Sequence, residues 1–392
     1  MRMSFGTSVF LCLHKVEKQS ANVCNIYLFS SLNVFNRKKK TAFELKKLYI
    51  YIIVCLVGVC SANAQIAGNT TLSALNLTPN ARAAGLGMSY LPVCDNDINV
   101  AWGNPSLINA SLHNNLSLNF INHFAGTNYG SVAYGRTFEK FGSYVFGIQY
   151  VNYGKFTRYD EAENEEGTFH AADYVFHIGW GRALDSNFYI GVNFRPVLSQ
   201  YDYYTAVALS FDLAGSYVNN AKSFAVTLMA RNVGAQIVSF SGNREKLPFE
   251  LTAGLSYKLK KAPFRFYLSA NELQRWNLRY SDTLNLTYTV DPFTGERTDE
   301  KAFVGFLDNF FRHLDVAVEF CPGNAFKIWL GYSYRQSKEM QAADITNMSG
   351  FSYGVGLRVK RINIGYSRNN YHLGQAPNTI SVSTNLENFL KH

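Results

Sequence analysis

The ionisable side chains that could do chemistry in this chain are spread thinly. His177, Arg195, Asp212, Arg231, Glu250, Lys258, Arg265, Asp315, Glu319, Arg335 and Arg358 are each flanked on both sides by uncharged residues. None belongs to a Ser/His/Asp order, a glycine-rich phosphate loop, a paired-carboxylate motif or a His/Cys cluster of metal-ligand spacing. No catalytic, cofactor-binding or metal-binding residue is therefore assigned, and the expected protein is not an enzyme. What isolated charges in apolar surroundings can do is pair with one another or line a polar path. A second polar set, Arg82, Asp95, Asp97 and Asn104, lies in the stretch from Leu75 to Leu107. That stretch has neither the 3.6 nor the 2.0 period of an amphipathic element, yet it is too apolar for a solvated linker. Its small residues (Ala81, Ala83, Ala84, Gly85, Gly87) permit close backbone approach. It is expected to be packed inside something, where its polar side chains need partners.

The elements that would position the first set are strands. Tyr144, Phe146, Ile148 and Tyr150 alternate with Ser143, Gly147 and Gln149, and Tyr174, Phe176, Ile178 and Trp180 with Asp173, His177 and Gly179. Phe188, Ile190, Val192 and Phe194 then alternate with Gly191, Asn193 and Arg195, and Val207, Leu209, Phe211 and Leu213 with Ser210 and Asp212. Two faces are being sorted at period two, and the isolated charges fall on the polar one. The pattern yields fourteen strands, starting near residues 115, 129, 143, 173, 187, 205, 222, 248, 263, 312, 325, 351, 362 and 377.

A soluble sandwich also alternates, and connection length separates the two architectures. Every second connection is tight: Glu139-Lys140-Phe141, Asp185-Ser186, Asn219-Asn220-Ala221, Lys260-Lys261-Ala262, Pro322-Gly323-Asn324 and Lys360-Arg361. Those between are mostly long: Gly154 to Ala172, Asn232 to Leu247, Gln274 to Phe311 and Gln336 to Gly350. Short turns on one rim and long loops on the other mark a transmembrane β-barrel of the bacterial cell outer membrane, and an aromatic share of 15 % suits girdles at both interfaces. Phe146, Ile148, Phe176, Ile190, Leu209 and Leu330 are expected to face lipid. The fold class is all-β: a 14-stranded antiparallel transmembrane barrel over residues 113–392 with an N-terminal segment, 65–112, plugging the lumen. Barrels of about eight strands fill themselves with side chains and those of 16 to 18 leave a channel, so a lumen of intermediate width needs an occupant.

The net charge of +9 does not indicate nucleic acid. Residues 1–64 hold nine Lys/Arg against two Glu, leaving the remainder near neutral. Lys46-Lys47, the apolar run Leu48 to Cys60 and Ala62-Asn63-Ala64 form a secretory signal peptide with cleavage expected after Ala64; the apolar run is too short for a membrane span. Residues 1 to about 44 match no targeting element. Of six cysteines only Cys94 and Cys321 would remain, and a bridge between a plug residue and a strand end is disfavoured.

One block is specific. Asn80-Ala81-Arg82-Ala83-Ala84-Gly85-Leu86-Gly87, then Cys94-Asp95-Asn96-Asp97, then Trp102-Gly103-Asn104-Pro105-Ser106-Leu107 resembles the opening of the PorV/PorQ family of FadL-like outer-membrane barrels, with Ser106 where that family often has Ala. The resemblance covers the mature chain and is nearer to the PorQ branch. It implies a plug carrying Asn80, Arg82, Gly85, Gly87, Asp95, Asp97, Asn104 and Pro105. It also implies a non-catalytic role in the type IX secretion system: anchoring a PorZ-like surface protein, beside other components of that system and outer-membrane lipid or lipopolysaccharide.

Two loops are candidate docking surfaces. Asp160 to Glu166 is an acidic run, more often a solvated tip than a contact. In the longest connection, Ala302, Phe303, Phe306, Leu307, Phe310 and Phe311 recur at helical spacing, giving a short helix with an aromatic face that either rests on the rim or outer leaflet or meets the partner. The alternative function is a FadL-like channel for hydrophobic small molecules, which would need an inward kink in a strand. The strand proline well inside the pattern, Pro196, is expected where its strand is already ending.

Overall fold

The computed structural model describes residues 70–392 except 89–91, 220–222, 280–287, 291–296, 300–301, 324, 341–347, 371–375 and 391–392. The signal peptide, its cleavage point and residues 65–69 of the plug lie outside the described residues.

The barrel strands are β1 (Asn115–Asn122), β2 (Asn128–Phe138), β3 (Gly142–Tyr159), β4 (Glu165–Ala183), β5 (Phe188–Tyr201), β6 (Tyr204–Asn219), β7 (Phe224–Val238), β8 (Glu250–Lys258) and β9 (Phe264–Ala270). After a separate two-stranded hairpin, β10 (Tyr288–Val290) and β11 (Arg297–Asp299), the barrel continues with β12 (Leu314–Phe320), β13 (Phe326–Ser333), β14 (Phe351–Val359), β15 (Ile362–Asn369) and β16 (Asn378–Asn385). Each pairs antiparallel with its neighbours, and β1 pairs with β16, so fourteen strands close into a barrel with no free edge. Among the described residues four short helices accompany it: α1 (Ala81–Gly85), α2 (Ala302–Arg312), α3 (Tyr334–Glu339) and α4 (Glu387–Leu390).

The two faces sort as the alternation requires. Phe146, Ile148, Phe176 and Leu330 are exposed on the outer surface and Ile190 and Leu209 half-exposed, while Ser210, Asp212, His177, Arg195 and Glu319 are buried inward. Apolar side chains turned to the outside of a closed barrel are stable only against lipid, which places the barrel in the bacterial outer membrane.

Several expectations are corrected. Gly154 to Ala172 is not a loop: β3 and β4 stay paired beyond a bulge where Tyr153 has no partner, and Gly154, at φ +99°, supplies the backbone conformation that restores the ladder. The acidic run is thus the tip of a long hairpin. The connection before β8 is shorter than expected because β7 runs to Val238. Arg335 lies on α3 and not on a strand, because Ser333 ends β13 and caps the helix through Gln336 N. Arg358 is exposed at the short-turn rim. Pro196 lies within β5, which continues to Tyr201.

Residues 70–88 and 92–112 lie in the interior. α1 packs against β13, β14, β15 and β16; the turn Ile98–Trp102 against β1, β2 and β4; and the turn Pro105–Leu107 against β4, β5 and β6. A segment that touches opposite walls of a closed barrel lies in its lumen. Leu75, Leu86, Met88, Ile98, Leu107, Ile108 and Leu112 are among its fully buried side chains, so the core of this molecule is the contact between the segment and the wall.

Candidate functional site

The inner segment is fixed first by local geometry. Asn80 caps α1, its side chain accepting from Ala83 N at 2.9 Å, and Asp97 caps the next turn by accepting from Asn99 N at 3.1 Å. This capping presents Arg82 to the wall. Its guanidinium donates through Nη1 to Asp95 at 2.6 Å and Asp97 at 3.3 Å, and through Nη2 to Glu319 of β12 at 3.0 Å and Tyr267 of β9 at 3.3 Å. Glu319 is in turn held by the Tyr267 hydroxyl at 2.7 Å, Arg265 at 3.2 Å and the Trp329 indole N–H at 3.1 Å. Although burial alone pushes the Asp95 carboxyl upward, the neighbouring cations, Arg82 first, hold it below the usual carboxylate range.

A second anchor lies across the lumen. Arg195 reaches Asp212 and Asn232, each at 2.5 Å, and the carbonyl of Leu75 at 3.2 Å, while Asn232 donates to Asn76 at 2.9 Å. Asn104 donates to Thr227 at 3.1 Å, and the Ser106 hydroxyl joins Asn104 Oδ1 at 2.7 Å and Ser216 at 2.6 Å.

At several of the places where the segment's backbone comes nearest to the wall's backbone, the wall residue is glycine. A β-carbon on Gly191 would stand 2.2 Å from the carbonyl of Pro105, and one on Gly331 2.2 Å from the carbonyl oxygen of Leu86. On the segment itself, Gly87 has φ +64° and faces the Ser352 hydroxyl, and Gly85 fits against Ser367 and Trp329. Each residue of the sequence block thus has a packing or bonding partner. Of the lumen charges, Glu319 and Arg265 join the Arg82 cluster, Arg195 pairs with Asp212, and Arg231 with Glu250 at 2.9 Å. His177 packs against Trp102 with the rings tilted and their centroids 4.6 Å apart. Cys94 and Cys321 are both free thiols.

The wall glycines and Trp329 were not singled out as sites by the sequence reading. The signal was present, since Gly147, Gly179 and Gly191 recur on the polar set of their strands, but only the seated backbone gives them a purpose.

At the long-loop rim, α2 turns its polar side inward. Asn309 accepts from Leu278 N at 2.8 Å and donates to the Trp276 carbonyl at 2.5 Å, and Asp308 accepts from Arg312 at 2.9 Å, Arg279 at 3.1 Å and Tyr334 at 2.8 Å. The aromatic side is left outward: Phe303 is 70 % and Phe306 51 % exposed, Phe310 and Phe311 are exposed, and Leu307 is half-buried. Phe306 leans on Trp276 with ring centroids 5.4 Å apart. The acidic tip is a closed turn in which Asp160 accepts from Ala162 N, Asn164 N and the Asn164 side chain at 2.8 to 2.9 Å. Hydrogen bonds from Asn164 keep its carboxyl below the usual range.

Strand count, closure and an apolar outer face make the chain a fourteen-stranded barrel of the bacterial outer membrane. Among solved structures it is similar to a TodX monoaromatic hydrocarbon channel mutant (12 % identity over 78 % of this chain and 98 % of that one, TM-score 0.46). It is also similar to the CymD monoaromatic hydrocarbon channel (9 %, 79 % and 96 %, TM-score 0.42). A third similar structure is a Pseudomonas aeruginosa FadL homologue (10 %, 79 % and 98 %, TM-score 0.42). No protein-family model matches the chain, and no curated protein matches it.

Proposed function

We propose that this barrel is a non-catalytic outer-membrane platform, its lumen kept shut by residues 70–112 and its extracellular aromatic surface anchoring a second protein. The observation that carries the reading is the fit of segment to wall. Backbone carbonyls rest on lumen glycines, and one buried guanidinium is divided between carboxylates of both parts. A plug that swung out would break the Arg82 cluster and leave charges uncompensated in the lumen. Together with the block from Asn80 to Leu107, this supports the finer reading: a type IX secretion component resembling the PorQ branch, with a PorZ-like surface partner. The test is capture of the tagged full-length protein from detergent-solubilised outer membrane, combined with conductance of the purified barrel in planar bilayers. The reading expects a stoichiometric surface protein and no conductance; a conducting barrel captured alone would sink it.

A second reading, passage of hydrophobic small molecules such as the monoaromatic hydrocarbons for which TodX and CymD are named, has one observation in its favour. The β4–β5 ladder skips the positions where Phe176 and His177 stand opposite Pro196 and Arg195, and proline has no N–H to give there. A side exit through the wall would open at such a gap. Toluene uptake into proteoliposomes that falls when Pro196→Ala restores a backbone donor would favour the channel over the platform.

A further inference from the structure

The two-residue turn between β14 and β15 carries Lys360 and Arg361, and it stands beside α4 at the short-turn rim, the periplasmic side in a barrel of this design. Val359, Ile362 and Ile364 lie on the lipid-facing set of their strands. With Phe389 of α4 and the two cations they line a cavity of about 730 Å³ on the outer face of the wall. The site is built, because the chain end that brings Phe389 is tied to the barrel: Leu386 N donates to Asn114 O at 2.8 Å and Asn385 Nδ2 to His113 O at 2.8 Å. The Arg361 guanidinium sits over the Phe389 ring, 5.8 Å from its centroid. Among the described residues neither Lys360 nor Arg361 has a carboxylate partner, and Glu387, the carboxylate of α4, is turned to Asn114 at 2.9 Å and His113 at 3.7 Å.

An apolar floor and a cationic lip at the depth where acyl chains meet headgroups is a combination that water fills poorly and a lipid fills well. We propose that the cavity holds one anionic phospholipid of the periplasmic leaflet. Its phosphodiester sits at Lys360 and Arg361, and its first acyl carbons lie over Ile362, Ile364 and Phe389. The anionic class follows from charge: a zwitterionic headgroup would bring its own ammonium to a lip whose two cations have no carboxylate partner among the described residues. The inference is independent of what docks on the opposite rim.

Native mass spectrometry of the full-length barrel, released from detergent with phosphatidylglycerol or phosphatidylethanolamine of the same acyl chains, tests it. The wild type should retain phosphatidylglycerol in preference, with one lipid bound most tightly. Lys360→Gln with Arg361→Gln should weaken that retention on the order of 30-fold, taking ~1 kcal/mol for each cation near an anionic surface, and leave phosphatidylethanolamine unchanged. Phe389→Ala should weaken both lipids. Lys260→Gln with Lys261→Gln, at another turn of the same rim, is the control for diffuse charge and should have little effect. Equal retention of the two lipids by the wild type overturns the proposal without any variant. So does an equal loss from the control pair, or displacement by soluble glycerol 3-phosphate, which would make the site one for the headgroup alone. Heat-modifiable migration on gels verifies that each variant has assembled.

Discussion

Arg82 Nη2 and Glu319 Oε2 lie 3.0 Å apart, joining the inner segment to β12, and both side chains are buried. Arg82 is also the shared partner of Asp95 and Asp97, so its single positive charge serves three carboxylates at once. Removing it leaves the buried Glu319 and the half-buried Asp95 and Asp97 carboxylates facing one another. Arg82→Ala should therefore cost ~3–5 kcal/mol, more than Glu319→Gln and far more than Asp97→Asn, whose carboxylate is partly solvated. Urea unfolding of the refolded barrel, followed by heat-modifiability, gives the ranking. Protease cleavage within residues 75–107 should rise in the same order. Three equal effects would mean that the cluster does not hold the segment.

The wall glycines make an independent prediction about the same contact. Gly191→Val places side-chain atoms where the Pro105 carbonyl now rests, and Gly331→Val does so at Leu86. Overpacking of this kind costs ~1–3 kcal/mol when the neighbour can give way. Here the neighbour is backbone, so the segment itself must shift. Both variants should insert normally and raise permeability to large antibiotics. The control, Gly215→Val, meets nothing within 4 Å and should leave permeability unchanged. A leak from the control, or none from Gly191→Val and Gly331→Val, would show that the segment does not seal the lumen.

How far this architecture could be read from the residues differs between wall and interior. The wall was legible because lipid imposes a strict period of two: runs such as Phe146, Ile148 and Tyr150 cannot face water, and the starts of the fourteen strands follow from them. The long β3–β4 extension was not, because beyond Gly154 both faces are wet and the alternation loses its physical cause. The plug was legible as apolar, aperiodic sequence with one long cation. Its partners were only partly so: Glu319 was among the carboxylates that the lumen pattern offers Arg82, but Asp95 and Asp97 come from the segment's own turns, and nothing in a period of two encodes a turn. α3 was missed for the same reason, being a single capped turn with no buried residue.

The lipid register predicts depth-dependent damage. Leu330 stands exposed in the middle of β13, so Leu330→Arg puts a cation against acyl chains and should cost ~2–4 kcal/mol if the site lies near the midplane. The same substitution at Leu184, exposed at the turn after β4, should cost less than ~1 kcal/mol because the headgroup region is polar there. Folding titrations in phosphatidylcholine liposomes compare the two, and an equal cost would contradict the placement of the wall in lipid.

Asp308 ties α2 to Arg279, Arg312 and Tyr334, and its carboxyl lies below the usual range: burial alone would raise it, but the hydrogen bonds from Arg312 and Tyr334 outweigh burial. A carboxylate lowered on folding stabilises the attachment fully above its unfolded pKa of ~3.9, and that stabilisation is lost as pH falls through the lower folded value. Proteolysis at the base of α2 by an acid-active protease should therefore increase only below about pH 4. Asp308→Asn should show the increased cleavage already at neutral pH and flatten the acid dependence. A wild-type profile that breaks at neutral pH would assign the attachment to another group.

The remaining prediction concerns what the aromatic face of α2 is for. Its polar residues are consumed in holding the helix to the rim, through Asn309 to Trp276 and Leu278 and through Asp308 to Arg279 and Tyr334, while Phe303 and Phe306 project away. That arrangement is costly in water, since exposed aromatics gain nothing until something covers them, and it suits either the outer leaflet or a protein partner. The two covers separate by mutation. Replacing Phe303 and Phe306 with Ser removes the projecting rings without touching the hydrogen bonds that seat the helix, so the barrel should assemble at normal levels in either case. If a surface protein docks here, it is shed into the medium and exported cargo loses its attachment to the cell surface, because a few buried aromatics carry ~2–4 kcal/mol each at an interface centre. If the face rests in the outer leaflet, shedding is absent and only the barrel's partition into outer-membrane lipid weakens. Normal barrel levels with the partner still bound would remove α2 as the docking surface and pass the test to the hairpin tip, where Glu161, Glu163, Glu165 and Glu166 stand exposed around the turn that Asp160 closes.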